Sequence, residues 1–446
     1  MPYSPHTDED RNYMLSAVGC RSAEELFNSV PRSLKGFDWK IPGPLAEQEV
    51  KREMNRLSGL NKGAECLSFL GAGAYEHYLP SVVDHVIRRP EFFTSYTPYQ
   101  PEVSQGNLQV IYEYQSLICH LTGLEVSQAS LYDGGSATAE AALLMKNCQR
   151  KPVILVSRAV HPLYREVLKT YCRASGTVVH ELPLNPDGST ENALPDDVTA
   201  GDVAGVIVQQ PNFLGVLEDL ESAANWARDG GFMSAAVINP IAVSLLKPPG
   251  DCGIDIAVGE GQPLGIPLSY GGPYLGFIAA TKKQMRKMPG RISGRTKDLD
   301  GKRGFVLALQ TREQHIRREQ ATSNICTNQA LCALAASVYL VWYGPRGLRE
   351  LALLNARRAH YACAELLAGG VVDKRFQSPF FNEFTVKVKD DAAEELLEHL
   401  LGRNIVGGLH LGRFYPEYED CILVAVTETR GKRDIDSLAA EVKSWR

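Results

Sequence analysis

Hydrophobic and polar positions divide the chain into three stretches of different character. From Asp8 to about Ser58 the apolar residues recur at helical spacing in a polar background, with Asp8 placed to cap the first helix and Pro31, Pro42 and Pro44 interrupting the run. Short runs rich in valine and isoleucine follow at residues 153–157, 205–209, 235–239, 254–259 and 276–281, most of them alternating with helical stretches. That alternation predicts a parallel sheet covered on both faces, with any ligand site in the loops at the carboxyl ends of its strands. After Thr327 the pattern turns helical as far as about Gly369, broken at Gly344 and Pro345. Strand-like runs at 381–388 and 421–427 then surround one helix, and a last helix starts near Lys432. The organisation expected is an N-terminal helical arm over 1–65, a large α/β domain over 66–330 and a small α+β domain over 331–446.

Composition narrows the function classes. With 446 residues, 44% of them hydrophobic and 22% charged, the chain is long enough for a sizeable core. Its formal charge of -5, with no basic stripe interleaved with aromatics, speaks against a nucleic-acid partner. The start lacks a positive n-region and an apolar h-region, and no run approaches the roughly 18 apolar residues of a membrane span, so a cytoplasmic protein is expected. The ten cysteines form no C-x-x-C pair, and His399 and His410 lack a third partner at ligand spacing, so no metal site is expected.

Four segments carry chemistry. Residues 130–142 place Gly134, Gly135, Ser136 and Thr138 at the start of a strong helix, where exposed N–H groups and the helix dipole suit a phosphate. An ordinary helix capped by Ser136 would look the same. His161, just past a strand, is placed to lie flat on an aromatic cofactor ring, although a turn histidine reads alike. The strand at 235–239 ends in Asn239, and the glycine-rich loop 260–273 holds no lysine: none occurs between Lys247 and Lys282. Two further segments are hard to explain as scaffold alone. They are the stiff aromatic and proline-rich loop 94–106 and the run 311–318 with three arginines, followed by 321–324. Arginines suit carboxylate or phosphate, and a solvated helix face would show the same residues.

At this point the motifs resemble a family. Y-T-P-Y-Q-P-E-V-S-Q-G-N-L (96–108), L-T-G-L-E-V (121–126), L-G-I-P-L-S-Y-G-G-P-Y-L-G (264–276) and T-R-E-Q-H-I-R-R-E-Q-A-T-S-N-I-C-T-N-Q-A-L (311–331) look like the P protein of the glycine cleavage system, a glycine dehydrogenase (decarboxylating). The likeness runs from the arm to the last helix and is similar to the N-terminal-half branch, subunit 1 of the split form. The resemblance implies a pyridoxal-phosphate-dependent transferase fold of the aspartate aminotransferase class, type I: a large, mainly parallel sheet domain plus a small C-terminal α+β domain.

It also implies a division of labour. Where the family's catalytic half carries a Schiff-base lysine this chain aligns Gln262, and where that half carries the aspartate that keeps the pyridine nitrogen protonated it has Asn239. The resemblance therefore implies a degenerate copy of the site, with Gly134, Gly135, Ser136 and His161 as its remnants and pyridoxal phosphate bound covalently by the partner subunit. The assembled enzyme would decarboxylate glycine and pass the aminomethyl group to the lipoyl arm of the H protein, with glycine dehydrogenase subunit 2 as partner. Tyr96, Thr97, Tyr99, Gln105, Thr327 and Asn328 are the residues expected to reach the partner's site. Two other readings stand beside this one: a non-catalytic scaffold or regulatory subunit, and a self-sufficient pyridoxal enzyme using Lys247 or Lys282.

Overall fold

Alternation along the valine and isoleucine runs is what builds the core. In Val153–Ser157 every residue is buried, and successive side chains point to opposite faces of a sheet. Leu155 joins one apolar cluster with Val206, Val208, Ala236 and Ile238. Ile154 and Val156 join a second with Ile207, Ala235, Val237, Ile256 and Val258. The first cluster is closed by helices Gln105–Thr122 and Leu220–Asp229, the second by Gly134–Gln149 and Pro162–Ala174. The computed structural model describes residues 5–36, 40–321 and 323–445; residues 1–4 of the start and Thr322 of the 321–324 run lie outside them.

The sheet has seven strands in the spatial order Val126–Ser127, Gly276–Ala280, Ile256–Glu260, Met233–Ile238, Val203–Gln210, Val153–Ser157, Val178–Leu182. Pairing is parallel from Ile256–Glu260 outward through Val178–Leu182. Gly276–Ala280 runs antiparallel to both its neighbours, so the sheet is mainly rather than wholly parallel. Val178–Leu182 was not expected as a strand because its V-V-H-E-L mixes polar with apolar residues, as suits an edge, and two-residue Val126–Ser127 is too short to leave a pattern. The antiparallel hairpin Ile292–Lys297 with Arg303–Ala308 also escaped, being half polar.

Helix Ala330–Ala368 is interrupted at Gly344, whose φ of 60° and ψ of 179° leave the helical region immediately before Pro345. Proline disfavours the helical conformation in the residue before it, and glycine accepts the left-handed φ without strain. Packing on the large sheet runs across the break, from Ala333, Ala336 and Tyr339 to Leu348, Leu351 and Ala352, and the helix then packs on a four-stranded antiparallel sheet through Ala359, Ala362 and Leu366. That small sheet is ordered Val372–Lys374, Glu383–Val388, Cys421–Ala425, Leu409–His410, and is covered by Ala393–Gly402 and Lys432–Ser444.

The chain divides into two units, residues 1–64 and 65–446. Within the first, helices Asp8–Ala17 and Glu47–Ser58 bury no described residue. The first helix is capped by Thr7, not Asp8: Thr7 Oγ1 accepts from the Asp10 N–H while the Asp10 carboxylate accepts from the Thr7 N–H at 2.8 Å. Asp8 is then the first helical residue, where its charge suits the dipole. Among the described residues no helix is long and apolar enough to cross a membrane.

The loop before helix Gly134–Gln149 lies directly on the strand Gly276–Ala280, with Leu131 N donating to the Gly276 carbonyl at 2.7 Å. A Cβ on Gly276 would fall on the Asp133 backbone. Gly276→Ala is expected to lower stability by about 1–3 kcal/mol, read as a shift of the urea midpoint at unchanged slope.

Candidate functional site

The carboxyl ends of the parallel strands converge on one crevice. Val153–Ser157 leads to His161, Val203–Gln210 ends in Gln209 and Gln210, Met233–Ile238 is followed by Asn239 and Pro240, and Ile256–Glu260 ends in Glu260, with Gln262 and Pro263 after it. Together with Gly73, Tyr75 and Tyr164 most of these line a cavity of about 30 Å3. That is room for a water or two, whereas small-molecule pockets run to several hundred Å3.

The crevice is narrow because the chain's own side chains fill it. At the start of helix Gly134–Gln149, Gly134 N donates to Glu260 Oε2 at 2.9 Å, while Glu260 Oε1 accepts from Gln262 N and Leu275 N, each at 2.9 Å. A carboxylate thus holds the amide edge that suits a phosphate. Burial pushes the Glu260 carboxyl up to about 7, opposed by the three N–H groups. Asp133, not Ser136, is the cap of this helix: its carboxylate accepts from Ser136 N at 2.7 Å and Ser136 Oγ accepts from Asp133 N at 3.1 Å. A Cβ on Gly134 would lie 2.5 Å from Tyr164 Oη, and Gly135 lies against the same ring.

That ring also occupies the face of His161. The two rings stack at 4.5 Å between centroids with 17° between planes, and Phe213 meets His161 edge-on at 4.7 Å. His161 Nδ1 accepts from Leu163 N at 3.1 Å, capping helix Pro162–Ala174, which leaves Nε2 to donate to the Ala72 carbonyl at 2.8 Å. Burial pulls its pKa down to about 4, so this imidazole is neutral at physiological pH.

Gln262 and Asn239 have structural partners. Gln262 is 1% exposed; its Oε1 accepts from Tyr75 N at 2.9 Å, and its Nε2 donates to the carbonyls of Tyr75 at 2.9 Å and Ile266 at 2.8 Å. Asn239 Oδ1 accepts from Ile241 N and Ala242 N, closing the turn after its strand. Gln262 thereby clamps a strap, residues 71–78, in the crevice. Glu383 of the small sheet holds the strap from the other side, accepting from Ala72 N and Tyr75 Oη, both at 2.6 Å. Thr427 Oγ1 donates to the Glu76 carbonyl at 2.6 Å, and Glu428 accepts from Tyr78 N at 2.7 Å. Lys247 pairs with Glu221, and neither Lys247 nor Lys282 lines the crevice. The helix amide edge is taken by Glu260, the face of His161 by Tyr164, and no lysine is among the residues lining the crevice, an arrangement that does not fit pyridoxal phosphate.

The second group of expected residues is brought together only in part. The Tyr99 ring lies 5.4 Å under the Arg291 guanidinium and 5.5 Å from His315, and Tyr99 Oη accepts from Arg291 Nη2 at 3.0 Å. Asn328 Nδ2 donates to the Ala129 carbonyl at 3.2 Å beside it, and Thr327 is exposed. Tyr96 is 85% exposed and Thr97 half-buried. Gln105 is used within the chain: its amide pairs with both the N–H and the carbonyl of Phe305, fixing the hairpin. The three arginines of 311–318 split, with Arg312 half-buried and Arg317 and Arg318 exposed. Among the described residues no three His, Cys, Asp or Glu side chains are placed to hold a metal.

Sequence reasoning missed Glu260, Tyr164, Tyr75, Glu383 and Arg291. Glu260 carried a signal, a carboxylate closing a fully apolar strand, and so did Tyr164, three residues after His161 on one helix face.

Comparison with known proteins bears on this arrangement. A model of the glycine cleavage system P-protein family matches residues 1–442. The chain is 51% identical over 444 residues to the probable glycine dehydrogenase (decarboxylating) subunit 1 of Moorella thermoacetica, covering 99% of each chain. It superposes on the crystal structure of a glycine decarboxylase (P-protein) of the glycine cleavage system in inhibitor-bound form with a TM-score of 0.92, 44% identity and 99% of each chain covered. Lactobacillus brevis glutamate decarboxylase matches at a TM-score of 0.70 with 12% identity, over 94% of this chain and 95% of the other, which speaks for the fold alone. The fold is that of the pyridoxal-phosphate-dependent transferases of type I, with a large, mostly parallel sheet and a small antiparallel one.

Burial pushes the Glu383 carboxyl up to about 7, against the Tyr75 and Ala72 donors. Folded, it keeps its proton to higher pH than unfolded, so the stability it contributes is present below about 4.5 and is lost as pH rises towards 7. Glu383→Gln keeps an acceptor for Ala72 N, turns the Tyr75 contact into a donation from Nε2 to Tyr75 Oη, and removes the titration. The unfolding free energy of the variant relative to wild type is expected to rise by up to about 1.4 kcal/mol per pH unit across that window and to stay flat above it, measured by denaturant unfolding.

Proposed function

Because the chain belongs to the glycine cleavage system P-protein family, we propose that it is the lysine-less subunit of a two-part glycine dehydrogenase (decarboxylating). The observation that carries this reading is the crevice filled by Glu260, Tyr164 and the strap, in a chain with no lysine between Lys247 and Lys282. The partner, glycine dehydrogenase subunit 2, holds pyridoxal phosphate covalently, and the cofactor supplies there the electron sink that decarboxylation requires. The aminomethyl group then passes to the lipoyl arm of the H protein, in the cytoplasm. Residues 66–330 and 331–446 act as the large and small domains of the fold, with 1–65 as an arm.

This chain's contribution is to orient and enclose. Tyr99 and Asn328, tied to Arg291 and Ala129, fix the edge from which exposed Tyr96 and Thr327 reach the partner's site as hydrogen-bonding groups. Thr97 lies on the same edge, and Gln105 holds the loop in shape through Phe305. Stiff loops on a rigid scaffold keep such groups aimed at little entropic cost.

Reconstitution tests the proposal. Neither subunit alone is expected to release carbon dioxide from glycine, and the mixture is expected to do so in the presence of H protein. Tyr96→Phe and Thr327→Ala are each expected to lower kcat/KM of the mixture by about tenfold or more, as loss of one well-placed hydrogen bond does. Full activity of the partner alone would make this chain a scaffold, and unimpaired activity of both variants would remove its contribution to the partner's site.

A further inference from the structure

Arg291 precedes the hairpin strand Ile292–Lys297, and its side chain is only 3% exposed. Its Nη2 donates to Tyr99 Oη and to the Cys326 carbonyl, and its Nε lies 3.6 Å from Glu313 Oε2, too far for a hydrogen bond. Arg312 Nη1 donates to the Met288 carbonyl. Among the described residues, Arg291 Nε, Arg312 Nε, Arg312 Nη2 and Gln128 Nε2 are buried and meet no acceptor, while Glu313 Oε1 is the acceptor left over with them. Gln128 packs against Gly290, and the next residue, Ala129, donates its N–H to the Arg291 carbonyl at 2.8 Å.

Two features of this cluster point to a ligand rather than to a self-contained ion network. Two guanidiniums face one carboxylate, so a positive charge is left over in a buried place, where unpaired charge is costly. Burial accordingly pulls Arg312 below the usual arginine range, with Glu313 opposing. The second feature is geometric. The unpaired nitrogens of Arg312 are Nε and Nη2, the side-on edge with which a guanidinium grips two oxygens of one carboxylate or phosphate. Gln128, 1% exposed, adds a neutral donor that also wants an acceptor.

We propose that the Nε–Nη2 edge of Arg312, with Arg291 Nε and Gln128 Nε2 beside it, is a buried oxyanion site that takes the carboxylate or phosphate of a small molecule. Arg291 is bonded to Tyr99 and to the Cys326 carbonyl, and Tyr99, Cys326 and the adjoining Thr327 are exposed. For the identity of the oxyanion the site rests on the function proposed above, which brings a glycine carboxylate and a cofactor phosphate to this edge. The binding itself does not depend on that function.

The test is calorimetric titration of the isolated chain at constant ionic strength with sodium phosphate, glycine and acetate, and with methylamine as the control lacking a carboxylate. Saturable binding of at least one oxyanion is expected, none of methylamine, and a loss of about tenfold in affinity in both Arg312→Met and Arg312→Lys. The lysine variant keeps the charge, and an unchanged melting temperature certifies its fold. In the assembled enzyme, a carboxylate ligand appears as a roughly tenfold higher KM for glycine in Arg312→Lys, and a phosphate ligand as a higher apparent Kd for pyridoxal phosphate. Absence of saturable binding to the wild-type chain, or binding indifferent to both arginine variants, overturns the site. Inactivity of the wild-type mixture would instead count against the proposed function and leave the titration on the single chain to be judged by itself.

Discussion

The contact between the Glu260 carboxylate and the Gly134 amide is the one on which the rest of the crevice depends. A helix N-terminus with two glycines offers unpaired N–H groups and a positive dipole end, and in a buried place those donors must be met. Here the end of the neighbouring strand meets them, with one carboxylate gathering the amides of Gly134, Gln262 and Leu275. Three loops are thereby locked together: the glycine turn before helix Gly134–Gln149, the loop after Ile256–Glu260, and the return into Gly276–Ala280. With that anchor set, Tyr164 lies over Gly134 and stacks on His161, and a cavity of about 30 Å3 remains beside them.

The strap completes the closure and ties the two sheets to each other. Gln262 grips the Tyr75 backbone from the large sheet's side, while Glu383, Thr427 and Glu428 grip residues 72–78 from the small sheet's side. A long amide suits this work, since it donates and accepts at once without the desolvation cost of an ammonium group. Gln262, Asn239 and His161 thus each have a structural role: Gln262 clamps the strap, Asn239 closes a turn, and His161 caps a helix as a neutral imidazole.

Much of the fold was legible because burial on both faces of a sheet leaves an unbroken apolar run. Val153–Ser157 was read at its observed limits, and the break at Gly344 and Pro345 followed from proline chemistry alone. The antiparallel course of Gly276–Ala280 was not legible, since an apolar run carries no direction. The site was legible as a location and not as a state. His161 and Asn239 do line one crevice and Gly134 and Gln262 bond residues that line it, yet Glu260 lies 126 positions from Gly134 and Tyr75 lies 187 from Gln262. Only the folded arrangement brings a carboxylate onto those amides. The same holds for Arg291 and Arg312, whose surplus of donors is invisible until their burial is known.

The central claim is that this chain fills its own cofactor crevice and leaves the covalent chemistry to its partner. The most direct measurement is borohydride reduction in the presence of pyridoxal phosphate, with the label located by peptide mass spectrometry, first on the isolated chain and then on the complex. The account predicts no stoichiometric label on this chain in either sample and one label on the partner in the complex. A stoichiometric pyridoxyl adduct on a lysine of this chain, Lys247 or Lys282 included, would contradict it.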